Sequence, residues 1–154
     1  MRLAGAADAP AIAFLLAEAF AEYRPLYTPA GFAATSITPD EVANRIEQGP
    51  VWVAVRDETI LGTVSVIPKG QSLYIRGMAV LPTARGQRIG ELLLTHIEKF
   101  AAAGVFRRLV LSTTPFLDRA IRLYEHFGFR RLDEGPNELF GTPLFTMEKV
   151  IARK

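Results

Sequence analysis

The sequence contains no cysteine. Disulfides, thiolate metal sites and a cysteine nucleophile are therefore excluded together. Two histidines are too few for a histidine-rich centre, and no metal is expected. Basic and acidic residues nearly cancel, leaving a formal charge of +2. Without a run of Lys or Arg, nucleic acid is not an expected partner. No uninterrupted apolar stretch reaches about 18 residues, so no membrane span is expected. The apolar stretch from Ala11 to Phe20 follows Arg2 in the manner of a targeting segment, but Asp8, Pro10 and Glu18 interrupt it. The expected location is the cytoplasm.

What is present is a chain of 154 residues, 49% of them hydrophobic. That size and composition suit one domain, residues 1–154, with a sizeable core. After a short strand around Leu3, Ile12, Leu15, Leu16, Ala19 and Phe20 recur at helical spacing. They predict a helix over residues 9–23, capped by Asp8 before Pro10. Residues 24–37 carry Pro25, Pro29 and Gly31 among Tyr27 and Phe32 and read as a loop or broken helix. Thr38-Pro39-Asp40-Glu41 is a capping box with proline at the first helical position. It opens a second helix that stops near Gly49-Pro50. Strands over residues 51–55, 60–67 and 72–81 are joined by short turns, which imply an antiparallel meander. A basic loop then leads to a helix over residues 89–103, with Ile89, Leu93, Ile97 and Phe100 on one face and Gly104 as its stop. A short strand holds Leu109 to Leu111, and Thr114-Pro115 opens a last helix reaching Phe127. Two closing strands cover residues 129–132 and 144–151. The fold class is α/β (α+β), a mixed, mostly antiparallel sheet covered by about four helices.

The most informative piece is the junction Met78-Ala79-Val80-Leu81-Pro82-Thr83-Ala84-Arg85-Gly86-Gln87-Arg88-Ile89-Gly90. A strand runs into a basic, glycine-containing loop, and the loop opens a helix. Helix N-termini expose free N–H groups at the positive end of the dipole and receive phosphate readily. Gly86 and Gly90 let backbone approach a ligand, and Arg85 and Arg88 add charge that matches a pyrophosphate. The plain alternative is a strand-to-helix turn with solvated arginines. A Walker loop is excluded because no G-K-[ST] occurs, and the glycine spacing does not fit G-x-G-x-x-G.

The stretch MAVLPTARGQRIGELLL resembles the coenzyme A loop of the GNAT superfamily of N-acetyltransferases, with its pattern [QR]-x-x-G-x-[GA]. Arg85 fills the first position and Gly90 the last. AIRLYEHFGFRRL, residues 120–132, resembles the second family signature, and TMEK, residues 146–149, the usual last strand. Two departures stand out. Arg88 occupies the place of the inner glycine, which narrows the backbone choices there. Leu117 stands where the family often has an asparagine, so that side-chain hydrogen bond to the cofactor is absent.

The resemblance implies acetyl transfer from acetyl-CoA to a primary amine of a small molecule or peptide, by direct transfer in a ternary complex. It also implies a sheet splayed between its two central strands. The pantetheine arm would enter that gap and pair with main chain of Met78, Ala79 and Val80, while residues Arg85, Gly86, Gln87, Arg88, Ile89 and Gly90 hold the phosphates. Tyr124, on the last helix of the second signature, is the expected general acid, since a phenol can protonate the departing thiolate. The general base is open between Glu22, Tyr27, Tyr74 and a water near Arg76. Tyr27 and Glu138 are expected in an acceptor groove formed by residues 24–37 and the acidic loop of residues 133–143, where a cationic amine would be attracted. Tyr23, Phe32 and Trp52 could line the same groove, although such aromatics are more often core or loop-anchoring residues, and His96 and His126 are read as solvated. A homodimer is open to the chain. The competing reading is a coenzyme A-binding sensor or partner-binding module without turnover.

Overall fold

In the computed structural model, which describes residues 1–151, the continuous apolar run after Pro50 is a strand because both its faces are covered. Val51 and Val53 face one core, and Trp52 and Ala54 the other. Strands β1 (Arg2–Leu3), β2 (Val51–Arg56), β3 (Thr59–Lys69) and β4 (Ser72–Val80) pair antiparallel in sequence order. The expected meander is present. Beyond it come β5 (Arg108–Thr113), β6 (Arg130–Leu132) and β9 (Phe145–Val150). They complete a seven-stranded sheet of order β1-β2-β3-β4-β5-β9-β6. The β4–β5 pair is parallel, and β9 lies antiparallel to both its neighbours. Strands β7 (Glu138–Leu139) and β8 (Thr142–Pro143) form a separate hairpin within what reads as a polar loop.

Helices α1 (Ala9–Phe20) and α3 (Pro39–Gln48) cover one face, where Ile12, Leu15, Leu16 and Val42 pack on Val51 and Val53. Helices α4 (Ile89–Ala103) and α5 (Asp118–His126) lie with the second core. The predicted bounds of α4 hold to the residue, because its apolar stripe fits one sheet face and Leu93, Leu94 and Ile97 are fully buried. At the crossing with β3, a Cβ on Gly62 would lie 2.7 Å from Ile89, so glycine there permits the close approach. The Thr38–Glu41 box caps α3 as expected, with its two bonds at 3.1 and 3.2 Å.

Five α-helices are described rather than about four. The additional one, α2 (Pro29–Thr35), lies in the segment read as loop or broken helix. Thr28 caps it by accepting from the Gly31 N–H at 3.0 Å. The first helix stops at Phe20, and Ala21–Leu26 continue as 3-10 turns, since Pro25 has no N–H to extend an α-ladder. Asp8 stands at the start of α1 but does not cap it with its side chain. Its carboxylate binds Arg2 and the Gly5 N–H, each at 2.8 Å, and these contacts hold its pKa down at about 2. The last helix begins at Asp118, because Thr114–Leu117 form a turn closed by Leu117 N–H on Thr114 O.

The packing of α4 on the sheet predicts that Leu93→Ala, which empties a fully buried site, lowers stability by about 2–5 kcal/mol. Urea unfolding followed by circular dichroism measures it.

Candidate functional site

The site begins with one extra residue in β4. Along β3, Thr63 pairs with Ala79 and Ser65 with Arg76, so two steps on β3 oppose three on β4. Gly77 takes φ +61°, the left-handed conformation that glycine adopts without a Cβ penalty. The bulge inverts the alternation of the strand. Leu73 and Ile75 belong to the α4 core, whereas Ala79 belongs to the α1 core. Pairing with β5 covers only Ser72 to Tyr74, opposite Arg108 to Val110. Past that point the strands part, which leaves one edge of β4 from Ile75 to Val80 without a strand.

A cavity of about 630 Å³ fills this splay. At one end stand Arg85, Gly86, Arg88, Ile89 and Gly90. Among the described residues, nothing accepts from the N–H groups of Arg88, Ile89, Gly90 or Glu91, which are the orphan donors of the α4 N-terminus. Gly86 has φ +84° and open space around its Cα. Arg88, in the inner-glycine position, takes φ +61° and makes no side-chain hydrogen bond or ion pair with any described residue. The role of Gly90 differs from a bare approach to ligand. A Cβ there would lie 2.7 Å from Leu123 Cδ2, so this glycine also sets how closely α4 meets α5. Met78, Ala79 and Val80 line the middle of the cavity, and Gln87 bonds Arg56 outside its lining.

Tyr124 lines the same cavity from α5. Its ring is buried beside Phe129, with centroids 5.8 Å apart. Its hydroxyl makes no hydrogen bond to any described residue. Burial first, and the neighbouring Tyr27 second, push its pKa up to about 12. The group is therefore a neutral phenol throughout the physiological range.

The other predicted residues separate. Tyr27 and Tyr74 line the cavity. Burial raises the pKa of Tyr27, with the Thr114 hydroxyl pulling the other way, so Tyr27 stays a protonated phenol at neutral pH and is not a ready base. Glu22 lies outside the lining and pairs with Arg85 and, at 3.7 Å, with Arg119. Glu138 is exposed and also outside the lining. Its segment nevertheless meets residues 24–37 as expected. Thr28 N–H donates to Thr142 Oγ1 at 2.9 Å, and Thr28 Oγ1 donates to Phe140 O at 2.7 Å. A Cβ on Gly31 would lie 2.3 Å from Thr142 Oγ1, so only glycine admits this junction. His96 is half-buried against Trp52, with ring centroids 5.0 Å apart, and burial lowers its pKa. It is not the solvated histidine expected. His126 is exposed. No metal-binding group of acidic or histidine side chains occurs among the described residues.

This arrangement has known counterparts. The profile of the acetyltransferase (GNAT) family matches residues 13–129. The N-acetyltransferase YjgM of Escherichia coli strain K12, itself uncharacterized, is 30% identical over 132 residues, which cover 82% of this chain and 78% of that protein. Among solved structures, the PaiA N-acetyltransferase of Thermoplasma acidophilum in complex with coenzyme A superposes with a TM-score of 0.81. That match has 17% identity and covers 97% of this chain and 96% of that one. The ribosomal-protein-S18-alanine N-acetyltransferase of E. coli has the same fold, with a TM-score of 0.79 at 18% identity over 99% of this chain and 94% of that one. The chain belongs to the GNAT acetyltransferase family, a class of coenzyme A-binding acyltransferases.

The left-handed Arg88 yields a prediction with two readouts. Arg88→Gly relieves a conformation that costs an L-residue about 1–2 kcal/mol, partly offset by the freedom glycine adds to the unfolded chain. The apo protein is expected to melt a few degrees higher by calorimetry, and the affinity for coenzyme A to fall because one cation is lost from the loop.

Proposed function

We propose that the chain transfers an acetyl group from acetyl-CoA directly to a primary amine held in the same cavity. The observation that carries this is Tyr124, which lines the cavity between β4 and β5 and whose hydroxyl has no hydrogen-bond partner among the described residues. The residues present fit the donor. The orphan N–H groups of residues 88–91 and the charges of Arg85 and Arg88 suit a pyrophosphate. The unpaired edge of β4 from Gly77 to Val80 suits an amide-bearing arm, which would take the place of a neighbouring strand.

Acetyl-CoA supplies an activated thioester. The protein aligns the amine with it in a cavity walled by Tyr23, Tyr27 and Leu111, and alignment of this kind removes much of the entropic barrier. As the carbon–sulfur bond breaks, Tyr124 hydrogen-bonds the sulfur and gives it a proton. Its pKa of about 12 makes it a weaker acid than a thiol, whose ordinary value is about 8.5. The proton therefore moves as a relay, with the phenol refilled by the proton that the amine releases. Glu91 is the lone carboxylate in the cavity lining, in the first turn of α4. With Glu22 held between two arginines, water is the carrier for that proton.

Tyr124→Phe keeps the ring and deletes the hydroxyl. Its kcat is expected to fall by about 10²–10⁴, with acetyl-CoA affinity unchanged by calorimetry. A folded variant that turns over at the wild-type rate would remove the role. Titration gives an independent check. The folded pKa lies above the ordinary value of about 10, so this tyrosine's contribution to stability is complete below pH 10 and disappears as the pH rises toward 12. Tyr124→Phe should lack that part of the alkaline destabilisation in pH-dependent melting. A wild type that binds acetyl-CoA yet releases no thiol with any amine would favour a sensor over an enzyme.

A further inference from the structure

We infer that the acceptor is a free amino acid, held by its carboxylate between Arg45 and Arg76. This rests on the transferase reading and names its second substrate.

The two arginines occupy the acceptor end of the cavity. Arg45 comes from the last turn of α3, and Arg76 from β4 beside the bulge. The Arg45 guanidinium reaches Gly77 end-on through Nη1. A Cβ there would sit 2.6 Å from its Nη1, so the bulge glycine makes room for the charge as well as for the turn. Neither arginine has an ion-pair partner among the described residues. Arg76 Nη2 donates to the neutral amide of Gln48 at 2.8 Å, and its Nε is buried without any partner. The nearest acidic influence on Arg45 is Glu41, one turn earlier on α3, and that carboxylate already accepts from the Thr38 N–H. Burial and mutual repulsion bring the Arg45 pKa down to about 10, as expected for cations gathered without an anion.

Other partly buried cations here are paired, as Arg108 is with Glu148 at 3.1 Å and Lys149 with Glu98. Two partly buried like charges without a counter-charge repel each other, and an anion held between them would relieve that repulsion. The donor's phosphates do not reach it. They belong with Arg85 and Arg88 past the far end of β4, and Gly77 to Val80 alone spans about 10 Å at strand rise. Cationic acceptors such as polyamines meet two like charges here. A carboxylate on Arg45 lies against the bulge where the thioester must sit, and an α-amine one carbon away falls at the reacting centre. Phe20, Tyr23 and Tyr27 form the adjoining wall, so an apolar side chain is preferred over a charged one.

The test is thiol release with matched acceptors. L-phenylalanine and L-leucine are compared with their carboxamides, alongside spermidine and a peptide amide. The acids are expected to exceed their amides in kcat/KM by about 10–100-fold, the range of one lost charge-assisted contact. Amine basicity cannot produce this preference, because the less basic amides have more free amine at neutral pH. Arg45→Met, which keeps the stem and deletes the charge, should raise KM for the acids, leave kcat and the amides nearly unchanged, and bring the ratio toward one. Arg76→Gln should act in the same direction. Acids no better than amides in the wild type, or a preference for spermidine or the peptide, would overturn the inference without touching acetyl transfer. Equal losses on acids and amides in the arginine variants would also overturn it. If acetyl-CoA binds by calorimetry but no acceptor is used, the inference falls and the donor site stands. If acetyl-CoA does not bind, the transferase reading falls as well.

Discussion

The rest of the structure depends on the inserted residue in β4. A strand that kept its period through Gly77 would present Ala79 to the α4 core and could continue alongside β5. With the bulge, Ala79 turns to the α1 core, and the parallel pairing stops at Tyr74. An unpaired strand edge inside a protein normally costs several hydrogen bonds. Here that edge lines a cavity, which is the one place where a ligand's amides can satisfy it. The same glycine admits the Arg45 guanidinium, so a single backbone choice accompanies the gap between β4 and β5 and makes room for a cation beside it.

Electrostatics divides the cavity into two positive ends. At the α4 end the positive charge comes from main-chain N–H groups together with Arg85 and Arg88, and Glu22 pairs with Arg85 and Arg119. At the α3 end the cations are Arg45 and Arg76. Between them lies Tyr124, an uncharged phenol whose burial keeps it protonated. This distribution suits a reaction that brings together a phosphate-bearing donor and an anionic acceptor and develops negative charge on sulfur midway.

The junction between residues 24–37 and 133–143 is a tertiary device. Thr28 caps α2 and also bonds Phe140 and Thr142, more than a hundred residues away. Gly31 is required at the contact because any side chain would strike Thr142. This junction holds the aromatic segment containing Tyr27 over the cavity, where Tyr27 packs edge-on against Phe116 at 4.9 Å.

Periodicity alone determined the helices that own an apolar stripe. The bounds of α4 and the capping box of α3 followed from local chemistry, as did the order of the meander. The basic, glycine-bearing junction was legible as the loop that opens α4, because the apolar stripe of that helix begins at Ile89. The place of Tyr124 on the last helix was legible from spacing, and the fold sets it beside the cavity. What the sequence could not disclose depends on residues distant in the chain. Gly77 reads as one more glycine in a β-branched run, and only its register against β3 makes it a bulge. Thr28 and Thr142 carry no mark of their contact. Glu138 looked like an acceptor residue from the charge of its loop, yet its side chain stands outside the cavity. Arg45 is a cation in the last turn of α3, a position the helix dipole favours, and nothing in its sequence neighbours marks it out. It becomes a candidate ligand for a carboxylate only because the fold brings it beside Arg76 and, among the described residues, pairs neither with an acid. Local propensity is written in adjacent residues, whereas the absence of a partner is a property of the whole folded neighbourhood.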